Sequence, residues 1–227
     1  MIKVLIVDDH ELLRIGIKKL LSDVKDVDIV GEADSGEQAL DMASELEPDV
    51  VLMDVKMPGI GGLETCRRML RNHKKIKVIA LTSCNEEPFP SRFLQAGAKG
   101  YLTKGCGFDE MILAIRKVYA NERYISPEIA QLLAIKNLGE EPETPFDKLS
   151  ERELQVMLMI TSGLKVQDIS DKLCLSPKTV NSYRYRLFEK LKLNNDVELT
   201  HLAMRHGMLD HEIYSDKDET DKSSESE

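Results

Sequence analysis

The sequence lacks the features that would place it in a membrane, outside the cell or around zinc. Its 227 residues contain no apolar run near the length of about 18 residues that a transmembrane helix needs. The apolar start, residues 1–8, is too short for a signal peptide and has no small-residue cleavage site. The four cysteines show no CxxC or zinc-finger spacing and the five histidines do not cluster, which favours free thiols and no zinc site. We therefore expect a cytoplasmic protein with no membrane partner.

Basic residues are fewer than acidic ones, 31 against 40, and the net charge of −9 at first argues against a nucleic-acid partner. The distribution of charge changes that conclusion. Between Lys172 and Lys192 six basic residues stand against one acid, whereas residues 209–227 have eight acids and two lysines. Salt screens charges beyond about 8–10 Å, so a phosphate backbone responds to a local basic stretch rather than to the total. The basic stretch is therefore a candidate DNA-binding surface.

The first 120 residues alternate strand-like and helix-like segments. Five short apolar runs are typical of buried strands: residues 2–8, 28–33, 49–55, 77–82 and 98–103. Apolar residues at helical spacing lie between these runs, and Ser35 is placed to cap the second helix. Alternation of this kind predicts a doubly wound α/β domain with five parallel strands and helices on both faces.

Chemically active side chains stand where these strands end: Asp8, Asp9, Asp54, Thr82 and Lys104. Because ligands bind at the carboxyl ends of parallel strands, we expect these side chains to meet on one rim. Three carboxylates held together repel, and Mg²⁺, with the backbone carbonyl of Lys56 as a further ligand, would keep them ionised. An Asp54 oxygen could then attack a phosphoryl group, while Lys104 and Thr82 contact the phosphoryl oxygens.

Each of these residues has an ordinary structural explanation when taken alone. An Asp-Asp pair after a strand is commonly a helix cap, and a single Asp or Lys says little. Four such positions at four strand ends favour a phosphoryl-accepting site. An enzyme of the aspartyl-phosphate phosphatase type is the alternative, but it would want a second Asp two residues after the nucleophile, where Lys56 stands.

The basic stretch belongs to a series of predicted helices. Ser150 and Glu153 have the spacing of a capping box, and Gly163 ends the helix that they open. A short helix follows over residues 166–173. Ser176 and Pro177 then open a longer basic helix. Two short helices joined by a tight turn to a longer one predict a helix-turn-helix, at about Gln167 to Arg186.

A helical wheel divides the third helix into a core face and a DNA face. Val180, Leu187 and Leu191 share the apolar face. The candidates for contacts to base edges are Asn181, Ser182 and Tyr185, and the candidates for phosphate contacts are Lys178, Thr179, Arg186 and Lys190. Arg184 projects nearer the apolar side, so a structural ion pair is its alternative. For any other single residue the alternative is a solvated helix face.

Four segments resemble the signature blocks of two-component receivers: Val7-Asp8-Asp9-His10, Met53 to Gly59, Leu81-Thr82-Ser83 and Gly100 to Gly105. The resemblance covers roughly residues 1–120 and implies a flavodoxin-like receiver phosphorylated on Asp54 by a sensor histidine kinase. It implies Mg²⁺ bound by Asp9, Asp54 and the Lys56 carbonyl, with Asp8 in support. It also implies that Thr82 and Tyr101 form a switch, although a half-buried strand aromatic is the alternative for Tyr101. Gly105 stands where many receivers have proline.

The segment Leu149-Ser-Glu-Arg-Glu153 and the third helix resemble the LuxR-type (NarL/FixJ) helix-turn-helix. Asp168-Ile169-Ser170 departs from the usual Glu-Ile-Ala. Thr179 to Arg186, together with the loop at residues 86–90, resembles the GacA/UvrY/LetA branch. That resemblance implies a BarA/GacS/LetS-like sensor kinase and activation of small RNA genes whose products titrate a CsrA-type repressor.

We therefore expect a transcriptional regulator and not an enzyme, because the receiver would promote only its own phosphotransfer. Its expected parts are a receiver (1–122), a helix end and linker (123–146), the helix-turn-helix domain (147–209) and an acidic disordered tail (210–227). Phosphorylation would bias a two-state receiver surface and favour a homodimer. Residues 197–208 would supply either the dimer contact or core packing only. A protein-binding output, and DNA binding that ignores phosphorylation, are the remaining alternatives.

Overall fold

The computed structural model describes residues 1–83, 89–138 and 144–209. The chain divides into two compact units, Met1–Lys148 and the part from Leu149 onward. Parts of three predicted segments lie outside the described residues: positions 86–88 of the loop at 86–90, positions 139–143 of the linker, and the acidic tail 210–227.

A parallel sheet forms the centre of the first unit. Its strands are β1 (Ile2–Val7), β2 (Val27–Ala33), β3 (Val50–Asp54), β4 (Lys77–Thr82), β5 (Gly100–Thr103) and β6 (Tyr124–Ile125). They lie in the order β2-β1-β3-β4-β5-β6, and all neighbouring pairs are parallel. The direction of strand addition reverses between β1 and β3, and in doubly wound folds ligands bind at the carboxyl ends of the strands beside such a reversal.

The described residues of this unit form six helices: α1 (Glu11–Ser22), α2 (Gly36–Leu46), α3 (Gly61–Asn72), α4 (Phe89–Ala96), α5 (Phe108–Tyr119) and α6 (Pro127–Asn137). Ile17 and Leu21 of α1 and Ile115 of α5 join one apolar core with the strands. All five residues of β3 are buried, as expected of a strand covered on both faces. Ser35 stands at the N-cap of α2, but its side chain makes no capping hydrogen bond.

The prediction of five strands was wrong, because the part of the chain that the structure describes forms a sheet of six strands. Tyr124 and Ile125 of β6 pair with Gly100 and Tyr101 of β5. A strand of two residues is too short to show an alternating pattern, so it gives no periodic signal. Helix α6 also lies in the segment expected to be a helix end and linker, and a 3₁₀ turn at Pro145–Lys148 follows it. Pro127 at the first turn of α6 is a helix-start signal in the sequence that predicts this helix.

The second unit consists of helices: α7 (Glu151–Thr161), α8 (Val166–Leu173), α9 (Pro177–Leu191) and α10 (Asp196–Arg205). The capping box is present, since Ser150 N donates to Glu153 Oε2 at 2.7 Å and Glu153 N to Ser150 Oγ at 3.3 Å. At the start of α9, Thr179 N donates to Ser176 Oγ at 3.1 Å. The buried residues Ile169, Val180 and Leu187 pack the unit from α8 and α9. Across the described ranges, no helix has the length and apolarity needed to span a membrane.

Candidate phosphoryl-accepting pocket and DNA-binding helix

Three strand ends bring Asp8, Asp54 and Lys104 together. Asp8 follows β1, Asp54 ends β3, and Lys104 follows β5. Lys104 Nζ lies 2.8 Å from Asp8 Oδ2 and 3.0 Å from Asp54 Oδ2. The side chain of Lys104 therefore crosses the end of β4 to reach two buried carboxylates. Three of the five residues expected at the rim therefore lie together.

Burial dominates the electrostatics of Asp54. Loss of solvent raises the pKa of its carboxyl from 3.8 to about 7, Lys104 opposes this rise, and the negative charge of Asp8 adds to it. Burial alone would lower the pKa of Lys104, but attraction to Asp54 and Asp8 outweighs it and raises that pKa. Lys104 is thus held in its protonated form, while Asp54 without a bound cation would be only partly ionised near neutral pH.

Asp9 and His10 complete the acidic pocket. His10 Nδ1 lies 3.0 Å from Asp9 Oδ1 and 3.2 Å from Asp8 Oδ1. Burial and the charge of Lys104 lower the pKa of His10. The negative charges of Asp9 and Asp8 outweigh both effects, so the pKa of His10 is raised overall. His10 had no predicted role, although its position directly after the Asp-Asp pair was a usable signal.

The donor set of this pocket fits a hard divalent cation. One ligand atom from each of Asp8, Asp9, His10 and Asp54 lies within 4.8 Å of all the others. Asp8 Oδ2, Asp9 Oδ1 and Asp54 Oδ2 are buried, and they face Lys104 Nζ or His10 Nδ1 without well-directed hydrogen bonds. Buried carboxylate oxygens that lack such bonds are costly, and a cation with oxygen ligands would compensate them. The Lys56 backbone is next to the pocket, since its N–H donates to Asp54 Oδ1 at 3.2 Å.

The two predicted switch residues lie on neighbouring strands. Thr82 ends β4 and is buried, with Thr103 opposite it on β5. Tyr101 is completely buried, and its ring meets the Phe93 ring edge-on at 6.1 Å between centroids. The half-buried position considered for Tyr101 is therefore not the one it occupies.

Glycines let the chain pass closely over the end of β3. A Cβ atom at Gly62 would collide with the backbone carbonyl oxygen of Asp54, so the start of α3 can approach the pocket only with glycine there. Gly59 and Gly61 have φ values of 80° and 73°, in the left-handed region that glycine adopts without strain.

Helix α9 presents polar side chains to solvent. Tyr185 is 71% exposed, unusually high for a large aromatic residue, and Ser182 is also exposed, whereas Asn181 is half-buried. Lys178 and Arg186 are exposed, and within the described residues neither has an ion pair with an acid. The Arg186 guanidinium lies 5.9 Å from the centre of the Tyr183 ring.

Other predicted phosphate contacts on α9 are engaged within the unit. Lys190 Nζ lies 2.6 Å from Oε2 of Glu153, which is 3% exposed. The Thr179 hydroxyl shares a 2.8 Å hydrogen bond with the Ser176 hydroxyl. The contact of Lys190 with Glu153 joins α9 to α7, and the contact of Thr179 with Ser176 joins the first turn of α9 to its N-cap.

The chain matches two protein families, one for each part of the sequence. Residues 4–116 match "Response regulator receiver domain" and residues 147–203 match "Bacterial regulatory proteins, luxR family". Over 211 residues the chain is 64% identical to Response regulator GacA of Pseudomonas syringae pv. syringae, covering 92% of this chain and 99% of the relative. The chain is a two-component response regulator of the LuxR type.

This response regulator is also 55% identical to Response regulator UvrY of Escherichia coli K12 over 216 residues, 95% of this chain and 99% of that protein. A similar solved structure is RcsB from Salmonella enterica serovar Typhimurium bound to promoter rprA with phosphomimetic BeF₃⁻. It is 25% identical with a TM-score of 0.69, covering 88% of this chain and 97% of that one. The expected family, its fold and its character as a DNA-binding regulator are confirmed.

Arg184 gives the response regulator a structural ion pair. Its Nε lies 2.7 Å from Asp196 Oδ1 and its Nη2 2.5 Å from Asp196 Oδ2, a two-point contact between α9 and α10. This is the alternative that the helical wheel suggested for Arg184. The sequence did not predict Asp196 as the partner of Arg184 or Glu153 as the partner of Lys190. Residues this far apart in sequence form no local pattern that would indicate a contact.

Proposed function

We propose that this response regulator accepts a phosphoryl group on Asp54 from a sensor histidine kinase, and that this controls its binding to DNA. The observation that supports it best is the buried Asp54 carboxylate, with Lys104 Nζ 3.0 Å from one oxygen. In the reaction an Asp54 oxygen bonds to phosphorus while the bond from phosphorus to the donor imidazole nitrogen breaks, and the electrons of that bond remain on nitrogen. The chain promotes only this transfer to itself and is otherwise not an enzyme.

Each pocket residue has a separate role in this proposal. Asp9, Asp54 and the Lys56 carbonyl would hold Mg²⁺, with Asp8 in support. When bound, the ion withdraws negative charge from the carboxylates and phosphoryl oxygens. Lys104 neutralises charge that develops on the phosphoryl group, and the Thr82 hydroxyl donates to a phosphoryl oxygen once it is attached.

The output follows from a shift between two receiver states. Thr82 ends β4 beside β5, which contains Tyr101, so movement of Thr82 toward the phosphoryl group changes the surroundings of the tyrosine. We propose that this shift favours a homodimer whose two α9 helices read half-sites about 34 Å apart. In α10, Leu199 and Ala203 are buried while Val197 is 64% exposed, which leaves Val197 available for the dimer.

The proposed DNA contacts divide by chemistry. Asn181, Ser182 and Tyr185 would meet base edges. Lys178, Thr179, Arg186 and Lys190 would meet phosphates, although Lys190 must then share or release Glu153. The identity to GacA and UvrY supports a BarA/GacS/LetS-like kinase upstream and activation of small RNA genes downstream.

The domain limits that we propose are those predicted from the sequence, with β6 of the connecting segment paired to the receiver sheet. We propose a receiver at 1–122, a connecting segment at 123–146, the DNA-binding domain at 147–209 and an acidic tail at 210–227. Because its target is genomic DNA, we place the activity in the cytoplasm.

The test uses the full chain, acetyl phosphate and Mg²⁺. Wild-type protein should gain the mass of one phosphoryl group, and Asp54→Asn should gain none. Asp41→Asn, the same change at an exposed position of α2, should be labelled like wild type. Equal labelling of Asp54→Asn would overturn the proposal. Footprinting on genomic DNA with and without acetyl phosphate tests the output, and unchanged protection would favour DNA binding that ignores phosphorylation.

A further inference from the structure

A second charged site lies at the edge of the sheet opposite Asp54. An open cavity of about 670 Å³ lies where β4 and β5 begin and where α3, α4 and α5 end. Four lysines line it, of which Lys77 begins β4 and the others lie in the loops that lead into β4 and β5: Lys74, Lys75, Lys77 and Lys99. Strand β4 runs from Lys77 to Thr82, so the cavity lies about 16 Å from the phosphoryl-accepting pocket. A ligand here would leave that pocket open.

The lysines of this cavity are not neutralised by nearby acids. Within the part of the chain that the structure describes, none of the four has an ion pair with a carboxylate. Lys77 Nζ instead lies 5.3 Å from the centre of the Tyr119 ring. The acid in the lining, Asp49, already accepts a 2.9 Å hydrogen bond from the backbone N–H of Lys3. The cavity therefore has an excess of positive charge.

Compensation of helix dipoles is the ordinary explanation for lysines at this position. Each helix C-terminus has roughly half a negative charge, and three helices end here. Their combined partial charge, together with the Asp49 carboxylate, is still smaller than the charge of the four lysines. Helix ends alone therefore do not account for so many unpaired ammonium groups around one cavity.

We propose that this cavity binds a nucleoside triphosphate. Lysine ammonium groups are common phosphate ligands, and several of them converging on one cavity suit a chain of phosphates. The volume lies within the range of about 300–1,000 Å³ found for small-molecule sites. Leu70, Ile76 and the 43% exposed ring of Tyr119 provide an apolar wall against which a base packs. The volume and the lining residues together favour a ligand with both phosphates and an aromatic ring.

The test is titration calorimetry of the full chain with ATP, without divalent cations. Wild-type protein should bind saturably, and Lys77→Gln/Lys99→Gln should bind about tenfold or more weakly, because two charge-assisted contacts are lost. Lys74→Gln/Lys75→Gln, on the exposed loop before β4, should weaken binding in the same direction. Both variants should still be labelled by acetyl phosphate, which shows that the receiver is folded.

Two controls remove the same charge elsewhere. Lys19→Gln/Lys25→Gln changes exposed lysines of the same unit, and Lys178→Gln/Arg186→Gln changes α9. Both should bind ATP like wild type. No saturable binding at millimolar ATP, or equal weakening in all variants, would overturn the proposal. Tripolyphosphate that binds as tightly as ATP would overturn the nucleoside assignment and identify polyphosphate alone as the ligand, whereas adenosine alone should show no measurable binding.

Discussion

Lys104 Nζ lies 3.0 Å from Asp54 Oδ2, although Asp54 ends β3, Lys104 follows β5, and β4 lies between these two strands. The same ammonium group is 2.8 Å from Asp8 Oδ2, so one cation faces two buried carboxylates. With Asp9 at the same rim, the pocket has an excess of negative charge until a second cation binds. The stability of the receiver should therefore depend on the charge of this pocket.

Replacing Asp54 with asparagine should stabilise the protein at neutral and higher pH when divalent cations are absent. Because the pKa of Asp54 is about 7 in the folded chain and 3.8 without the fold, the folded state binds the proton more tightly. Stability is then lost as the pH rises between these values, by up to about 4 kcal/mol. Urea unfolding in EDTA at a series of pH values measures the difference between variant and wild type.

The stabilising effect of Asp54→Asn should fade as the pH falls toward 4, since the wild-type carboxyl is then protonated. Asp41→Asn, at an exposed site, should show no such pH dependence. A constant difference across the pH range would contradict the burial of a charge at Asp54.

Replacing Lys104 with glutamine should destabilise the receiver and make its stability depend on Mg²⁺. Removing one partner of a buried ion pair costs about 3–5 kcal/mol, because the other charge stays buried. Mg²⁺ should restore part of the loss by compensating the same carboxylates. Urea unfolding in EDTA and in saturating Mg²⁺ measures both values. If Lys104→Gln were no less stable than Lys25→Gln in EDTA, the pairing would not contribute to stability.

Replacing Gly62 with alanine should destabilise the receiver by about 1–3 kcal/mol or more, because the new Cβ would collide with the Asp54 carbonyl oxygen. Gly16→Ala is the matched control, since Gly16 lies inside α1 and a Cβ there meets no atom within 4 Å. It should stabilise the protein by about 0.5–1 kcal/mol. Thermal unfolding compares the two variants, and equal effects would show that α3 does not approach β3 so closely.

Arg186 and Arg184 should have separable effects despite being two residues apart on α9. Arg186→Gln should weaken DNA binding and lower the slope of log affinity against log salt by about 1, as expected for one lost phosphate contact. Arg184→Gln should leave that slope unchanged and lower stability by about 0.2–1 kcal/mol, because its pair with Asp196 is partly exposed. Binding titrations at several salt concentrations, with thermal unfolding, distinguish them. A lower salt slope for Arg184→Gln would assign that residue to DNA.

Local signals in the sequence determined much of the candidate site. Asp8, Asp54 and Lys104 each stand at the end of an apolar run, and parallel strands bring such ends to one edge. Ser150 and Glu153, three residues apart, specified the start of α7 by a contact that is purely local.

By itself the sequence determined the order of β1 to β5 and of the helices between them, the acidic residues at the strand ends and the basic helix α9, because these depend on periodicity, caps and strand ends. Only the tertiary structure decided that β6 extends the sheet, that Lys190 pairs with Glu153, and that lysines before β4 and β5 surround one cavity. Each of these joins residues distant in sequence. No local pattern encodes such contacts, since they form only when separate elements pack.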